Sequence, residues 1–264
     1  MRRMVLSRYG GPEVFRLEEF DPPTPRHGEI RIRVRAAGVN FADVMARLGL
    51  YPDAPPPPCV VGYEVAGEVE GVGPGVDGFR EGDRVVALTR FGGYADSVCV
   101  PVEQAIHLPA GKDFVEGAAL PVNYLTAFLM VEWLAGVRAG DRILIHGAAG
   151  GVGLAALQLA KARGAVVFGT ASPGKHRRLR ELGLDHPIDY RNADFEAEVR
   201  TLTGGKGVDV ILDPISGRTT RKNYRVLAPM GRLYLFGVSS FNQGSKNRNI
   251  VDTLRALIGT PFFH

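Results

Sequence analysis

Apolar and polar positions alternate in short runs through the first part of the chain and give way to longer, nearly all-apolar runs in the second. From Glu29 to Ala36, Ile30, Ile32 and Val34 alternate with Arg31, Arg33 and Arg35, a period of two that predicts a strand with one buried face and one solvated arginine face. Further strands are predicted over Glu64 to Glu70, Asp83 to Leu88 and Tyr94 to Val100, separated by the turn-rich stretch Gly71 to Gly75 and the proline run Pro55 to Pro58. One helix interrupts them from about Asn40 to Leu48, with Asn40 as N-cap and Gly49 as its stop. Residues 1–122 therefore read as a β-rich, barrel-like domain.

Over residues 123–264 the period changes, and strand-like runs alternate with helix-like ones at βαβ spacing. The strands are predicted at Arg142 to Ile145, Val166 to Gly169, His186 to Ile188, Val208 to Leu212 and Arg232 to Phe236. Helices are predicted at Val152 to Arg163, Lys175 to Leu182, Phe195 to Leu202 and Thr219 to Leu227. The leading strands are almost wholly apolar, as strands covered on both faces should be. The fold class is thus α/β, a doubly wound parallel sheet joined to a second, β-rich domain.

Composition narrows the function classes. The net charge of +4 comes from basic residues spread along the chain, with no aromatic and basic stripe of the kind a single-strand nucleic-acid platform uses. No nucleic-acid partner is expected. The start, Met1-Arg2-Arg3-Met4, runs into no signal-like apolar stretch, and no run of roughly 18 apolar residues predicts a membrane span, so a cytoplasmic protein is expected. Two cysteines, Cys59 and Cys99, make no disulfide framework. They lack thiol or His neighbours at zinc-type spacing, and His27 and His107 are isolated, so no metal site is expected.

The strongest chemical signal is the strand–turn–helix passage from Ile143 to Ala160. Its turn, Gly147-Ala148-Ala149-Gly150-Gly151-Val152-Gly153, opens a helix whose first N–H groups can point at a pyrophosphate. The three glycine positions of the dinucleotide fingerprint fall on Ala148, Gly150 and Gly153, so the first departs from it. The next strand, ending Phe168-Gly169-Thr170-Ala171-Ser172, carries no acid where one would hold the ribose 2′-OH of NADH. Ser172 and Lys175, with Arg177 or Arg178, can instead meet a 2′-phosphate; alternatively Ser172 caps the next helix and the basic side chains are solvated. NADPH is the expected cofactor.

Several stretches resemble the quinone oxidoreductase (zeta-crystallin) branch of the zinc-free medium-chain dehydrogenases: Val39-Asn40-Phe41-Ala42-Asp43, Gly49-Leu50-Tyr51-Pro52, Gly62-Tyr63-Glu64-Val65-Ala66-Gly67 and Glu81-Gly82-Asp83-Arg84-Val85. Within that branch, Val122-Asn123-Tyr124-Leu125-Thr126-Ala127 and His186-Pro187-Ile188-Asp189-Tyr190 are similar to the synaptic vesicle membrane protein homologues. The resemblance implies a GroES-like catalytic domain and a Rossmann domain, with nicotinamide and substrate in a cleft between them. Zinc-dependent relatives have Cys where this chain has Asn40 and His where it has Tyr63. Carried over by motif, Asn40, Asp43, Tyr51 and Thr126 line the nicotinamide pocket; Ala149, Gly150, Gly151 and Val152 face the pyrophosphate; Ser172, Lys175 and Tyr190 face the 2′-phosphate; Phe236 and Gly237 pass beside the nicotinamide. Met45 departs from the Tyr of many quinone oxidoreductases. Such relatives continue past the point where Thr260-Pro261-Phe262-Phe263-His264 ends, so the usual C-terminal segment of the fold is expected to be lacking here.

The reaction so implied is hydride transfer from NADPH to a quinone or an α,β-unsaturated carbonyl, driven by orientation and exclusion of water. Tyr51 either polarises the carbonyl or stacks at the rim. Asn40 either hydrogen-bonds carbonyl or ribose or caps its helix, and Asp43 either lines the pocket or holds local backbone. The alternative is an NADPH-binding sensor or interaction protein without turnover. A homodimer is expected through the sheet edge near Arg232 to Val238.

Overall fold

The structure, a computed structural model, describes residues 1–237. The chain divides into two compact units, Met1–Asn123 and Tyr124 onward.

In the first unit, β1 (Arg2–Leu6) pairs antiparallel with β2 (Phe15–Glu19). A five-stranded antiparallel sheet is built from β3 (Glu29–Ala37), β4 (Glu64–Val72), β5 (Arg84–Leu88), β6 (Ser97–Pro101) and β7 (Ala105–His107), in the order β6-β3-β4-β5-β7. Helix α1 (Phe41–Arg47) follows β3, and the short α2 (Phe114–Ala118) packs on β3 and β4. Ile30 and Ile32 of β3, Val65 and Val69 of β4 and Val85 of β5 form the apolar core that period-two patterning predicts.

One expectation is refined here and one is corrected. The arginine face of β3 is not simply solvated: Arg33 Nε meets Glu70 Oε2 at 3.1 Å, and Arg35 meets Glu68 at 2.7 Å across the strand pair. Arg31 also reaches Glu70 and is only a quarter exposed. Cross-strand carboxylates on β4 capture these cations, and a single strand's alternation cannot reveal its neighbour. The strand expected from Tyr94 begins at Ser97 because Tyr94 is used elsewhere: its carbonyl accepts from Met4 N–H at 2.8 Å and its own N–H donates to Val61 at 3.0 Å.

The second unit opens with α3 (Pro121–Phe128), inside which the division between units falls, and a π-helical turn over Leu129–Leu134. Then β8 (Arg142–Ile145), α4 (Gly151–Ala162), β9 (Val166–Ala171), α5 (His176–Glu181), β10 (His186–Asp189), α6 (Phe195–Leu202), β11 (Val208–Asp213), α7 (Thr220–Val226) and β12 (Leu227–Leu235) alternate. The sheet is parallel throughout, in the order β10-β9-β8-β11-β12. Ile143, Ile145, Val167, Val210 and Leu212 share one apolar cluster with Ala155, Ala156 and Leu157 of α4; Leu144, Phe168 and Ile211 share the other with Phe195, Val199 and Val226. Burial on both faces explains the unbroken apolar runs.

The last strand starts earlier than expected, at Leu227 rather than Arg232. Leu227 pairs with Val208, the chain then leaves the ladder through Pro229 and Met230 (φ 63°), and Arg232 resumes pairing opposite Val210. The helix expected from Lys175 begins one residue later, behind a 3-10 turn that Pro173 initiates. Val238, the end of the predicted sheet edge, lies outside the described residues. Among the described residues no helix is long and apolar enough to cross a membrane.

Candidate functional site

In the second unit the ends of β8, β9 and β11 carry the glycine-rich turn and the loops beside it. Gly147 has φ 63°, a conformation open to glycine, and its N–H donates to Thr170 Oγ1 at 3.1 Å. Ala148 N–H donates to the Thr170 carbonyl at 3.0 Å and Gly150 N–H to the Gly147 carbonyl at 2.8 Å, which folds the turn against β9. Gly150 is extended and precedes α4, whose first main-chain hydrogen bond, Leu154 N–H to Gly150 O, is 2.8 Å. The N–H groups of Gly151, Val152 and Gly153 therefore have no acceptor among the described residues, and they present the partial positive charge of a helix N-terminus. A Cβ on Gly153 would stand 2.4 Å from the Gly147 carbonyl oxygen, so only glycine lets helix and turn approach this closely. These features fit a dinucleotide pyrophosphate.

Beside the turn, Ala149, Leu154 and Gln158 share a surface cleft of about 400 Å³ with Gly174, Lys175, Arg178 and Leu179. Ser172 makes no capping hydrogen bond, so its hydroxyl is not committed to the turn that follows. Arg178 lines the cleft while meeting Glu181 at 3.2 Å; Arg177 points into solvent, 3.5 Å from the same carboxylate. Tyr190 is exposed after β10, with the Arg191 guanidinium 5.9 Å over its ring, and it does not line this cleft. Phe236 N–H donates to the Asp213 carbonyl at 3.1 Å, and the Gly237 carbonyl accepts from Ser216 Oγ at 2.7 Å. Thr126 is half-buried on α3.

In the first unit, Asn40 and Asp43 stand at the start of α1. Asp43 is buried and accepts from Asn40 N–H (2.8 Å), Gly62 N–H (3.0 Å) and the Tyr94 hydroxyl (2.9 Å). Burial raises its pKa, and these three donors only partly oppose the shift. The geometry matches the backbone-holding alternative for Asp43. Asn40 donates its amide to Glu64 Oε1 at 2.8 Å, and Val122 N–H donates to Glu64 Oε2 at 2.8 Å; burial raises the Glu64 pKa as well. Tyr51 packs edge-on to Tyr63 at 5.8 Å, and Tyr63 lies 5.0 Å from Phe91. The Tyr63 hydroxyl is buried without a hydrogen-bond partner among the described residues, and burial, followed by Tyr51 and Asp43, pushes its pKa upward.

Among the described residues no three His, Cys, Asp or Glu side chains are grouped to hold a metal ion. Where zinc-dependent enzymes would need ligands, Asn40 and Tyr63 offer an amide and a phenol, which do not fit a zinc site. Sequence reasoning missed Glu64 and His146. Each had a signal: a lone charged or imidazole group bordering an apolar strand must find a buried partner.

Comparisons with known proteins follow the same division. Residues 26–110 match the alcohol dehydrogenase GroES-like domain, and residues 151–264 match a family described as zinc-binding dehydrogenase. The chain is 43% identical over 258 residues to the synaptic vesicle membrane protein VAT-1 homolog of Rattus norvegicus, a match that covers 97% of this chain and 63% of that protein. The chain thus spans less than two thirds of the length of that relative. Escherichia coli quinone oxidoreductase complexed with NADPH is 34% identical with TM-score 0.86, covering 98% of this chain and 78% of the other. The CurK enoyl reductase is also 34% identical, with TM-score 0.85 over 98% of this chain and 78% of the other.

Proposed function

This chain belongs to the medium-chain dehydrogenase/reductase family, and from that premise we propose that it is an NADPH-dependent, zinc-independent reductase of a quinone or an α,β-unsaturated carbonyl. The observation that carries the cofactor half of this reading is the pairing of three acceptor-free N–H groups at the start of α4 with a basic, acid-free end of β9. Gly151, Val152 and Gly153 hold the pyrophosphate. Ser172 and Lys175 hold the 2′-phosphate, and Lys175, as a charged donor, favours NADPH over NADH. Tyr190, exposed outside that cleft, is a further candidate contact of the 2′-phosphate, while Phe236 and Gly237 border the nicotinamide.

When bound, the dihydronicotinamide supplies the hydride. Within the first unit, Asn40 and Tyr51 orient the substrate carbonyl and exclude water around it; in the second, Thr126 is proposed as a nicotinamide contact. Support for the substrate class comes from two relatives, one named a quinone oxidoreductase and the other an enoyl reductase. Among the described residues β12 is an edge strand of the parallel sheet, and it is proposed as the contact of a homodimer, to be read by light scattering.

A second reading, NADPH binding without turnover, draws on the engagement of Asn40 with Glu64 and of Asp43 with three local donors. Calorimetric titration with NADPH and NADH, beside Lys175→Ala, separates the cofactor question from the chemical one. The wild type is expected to prefer NADPH, and the variant to lose about tenfold or more of that preference. Absence of binding by either cofactor overturns the proposal. Tight NADPH binding with no oxidation by a panel of quinones and enones selects the second reading.

A further inference from the structure

Behind the glycine-rich turn lies a buried polar chain that the proposed chemistry does not use. Asp213, fully buried at the end of β11, accepts four hydrogen bonds. Oδ1 takes the N–H groups of Ile215 (2.7 Å) and Ser216 (3.2 Å); Oδ2 takes the Thr219 hydroxyl (2.6 Å) and the Asn223 amide (2.7 Å). Two backbone N–H groups, a hydroxyl and an amide thus face the carboxyl oxygens, which makes Asp213 the accepting end of the chain.

That end fixes the direction of everything beyond it. Asn223 must turn its NH2 toward the carboxylate, because the reversed amide would set oxygen against oxygen. Its Oδ1 then faces His146 Nε2 at 2.8 Å and can only accept, which places the imidazole proton on Nε2. Nδ1, at 3.2 Å from Thr170 Oγ1, is therefore bare and accepts the threonine hydroxyl. The oxygen of Thr170, having donated, accepts the Gly147 N–H at 3.1 Å. His146 is 1% exposed, with the Phe195 ring edge-on at 4.7 Å. Burial, opposed by Asp213 and Asn223, lowers its pKa and keeps the ring neutral.

From this chain of fixed polarity we infer that His146 and Thr170 are positioning residues for the dinucleotide turn, holding Gly147 so that the N–H groups of Gly151 to Gly153 stand ready for phosphate. The inference rests on the cofactor reading above. Asp213 also anchors the loop whose Ser216 hydroxyl binds the Gly237 carbonyl. One buried carboxylate thereby ties the phosphate turn to Gly237, the residue proposed to border the nicotinamide.

Two measurements test this. In Thr170→Val the side chain keeps its shape but can neither accept from Gly147 nor donate to His146. Its NADPH dissociation constant is expected to rise about tenfold by calorimetry, the equivalent of 1.4 kcal/mol. Thr170→Ser, which keeps the hydroxyl, is expected to restore it. Equal affinity in wild type and Thr170→Val overturns the inference. The second measurement uses the native protein, so it stands even where a variant fails to fold. Nitrogen-15 NMR of the His146 ring is expected to show a protonated Nε2 and a bare Nδ1, with the Nδ1 signal moving when NADPH saturates the site. The opposite tautomer, or a ring signal unmoved at saturation, overturns it. A wild type that binds no dinucleotide sinks the cofactor reading instead, and the tautomer still reports whether the chain has the stated polarity.

Discussion

Gly169 of β9 lies directly against the methyl group of Ala148: a Cβ placed on Gly169 would stand 2.8 Å from the Ala148 Cβ. Ala148 occupies the position where the dinucleotide fingerprint has its first glycine. The extra methyl is thus accommodated by removing one from the adjacent strand. Gly169→Ala is expected to destabilise the protein by about 2 kcal/mol through overpacking. Adding Ala148→Gly should recover part of the loss, though not all, because the new Cβ also meets the tip of Leu184 at 2.9 Å. Thermal unfolding of the two single variants and the double variant checks this, and purely additive losses count against direct contact.

Gly153 faces a harder constraint, since its neighbour is backbone. At 2.4 Å the Gly147 carbonyl cannot yield as a side-chain tip can. Gly153→Ala must push the start of α4 away from the turn, and NADPH affinity is expected to fall more than tenfold, about 1.4 kcal/mol or greater. Calorimetry reads this directly; unchanged affinity would mean that the turn does not hold the pyrophosphate.

The second unit was legible in its pattern because βαβ alternation is local: each strand run and each helix run carries its own period. Arg142–Ile145 and Phe195–Leu202 fall where the apolar spacing places them. Legibility failed wherever a neighbour decided the outcome. The arginines of β3 look solvated until β4 sets Glu68 and Glu70 beside them. Tyr94 looks like strand until β1 and Val61 take its backbone and Asp43 takes its hydroxyl. Among the site residues, the glycine turn was readable from spacing alone. The partners of Asn40 and His146, 24 and 77 positions away at Glu64 and Asn223, were not.

Asp43 is expected to act on stability before it acts on chemistry. Removing a buried carboxyl that accepts three donors strands two backbone N–H groups and a tyrosine hydroxyl. Asp43→Ala should cost about 3 kcal/mol of stability. Asp43→Asn, which keeps one acceptor oxygen, should cost less. Comparison of unfolding midpoints with turnover decides the matter. A variant of native stability but abolished turnover would return Asp43 to the reacting site.

Acid should separate the hydrogen-bonded carboxyls of the two units. Burial alone would raise the pKa of Asp209, but two side-chain hydrogen bonds from Arg142 and one from its backbone N–H outweigh burial and lower it from 3.8. A carboxylate whose folded pKa is depressed contributes stability that is present above the unfolded value and lost as pH falls through the folded one. Asp185, held by Lys161 and the Val167 N–H, behaves the same way. Asp43 and Glu64 are shifted upward, so their contribution runs oppositely: it is full below the unfolded pKa and lost as pH rises through the folded value. Asp209→Asn is therefore expected to lower the unfolding temperature clearly at pH 7, at a cost of about 1 kcal/mol, and hardly at all near pH 3. Asp43→Asn should show the opposite trend, its largest penalty in acid and a smaller one at pH 7, because the raised carboxyl contributes fully only while it is protonated. Hydrogen exchange resolved by unit distinguishes the two: acid should loosen protection around β8 and β11 while protection around α1 is held or gained. Equal loosening of both would show that burial does not raise the Asp43 pKa in the folded chain, and protection around β8 and β11 unchanged in acid would show that Arg142 does not hold Asp209 ionised.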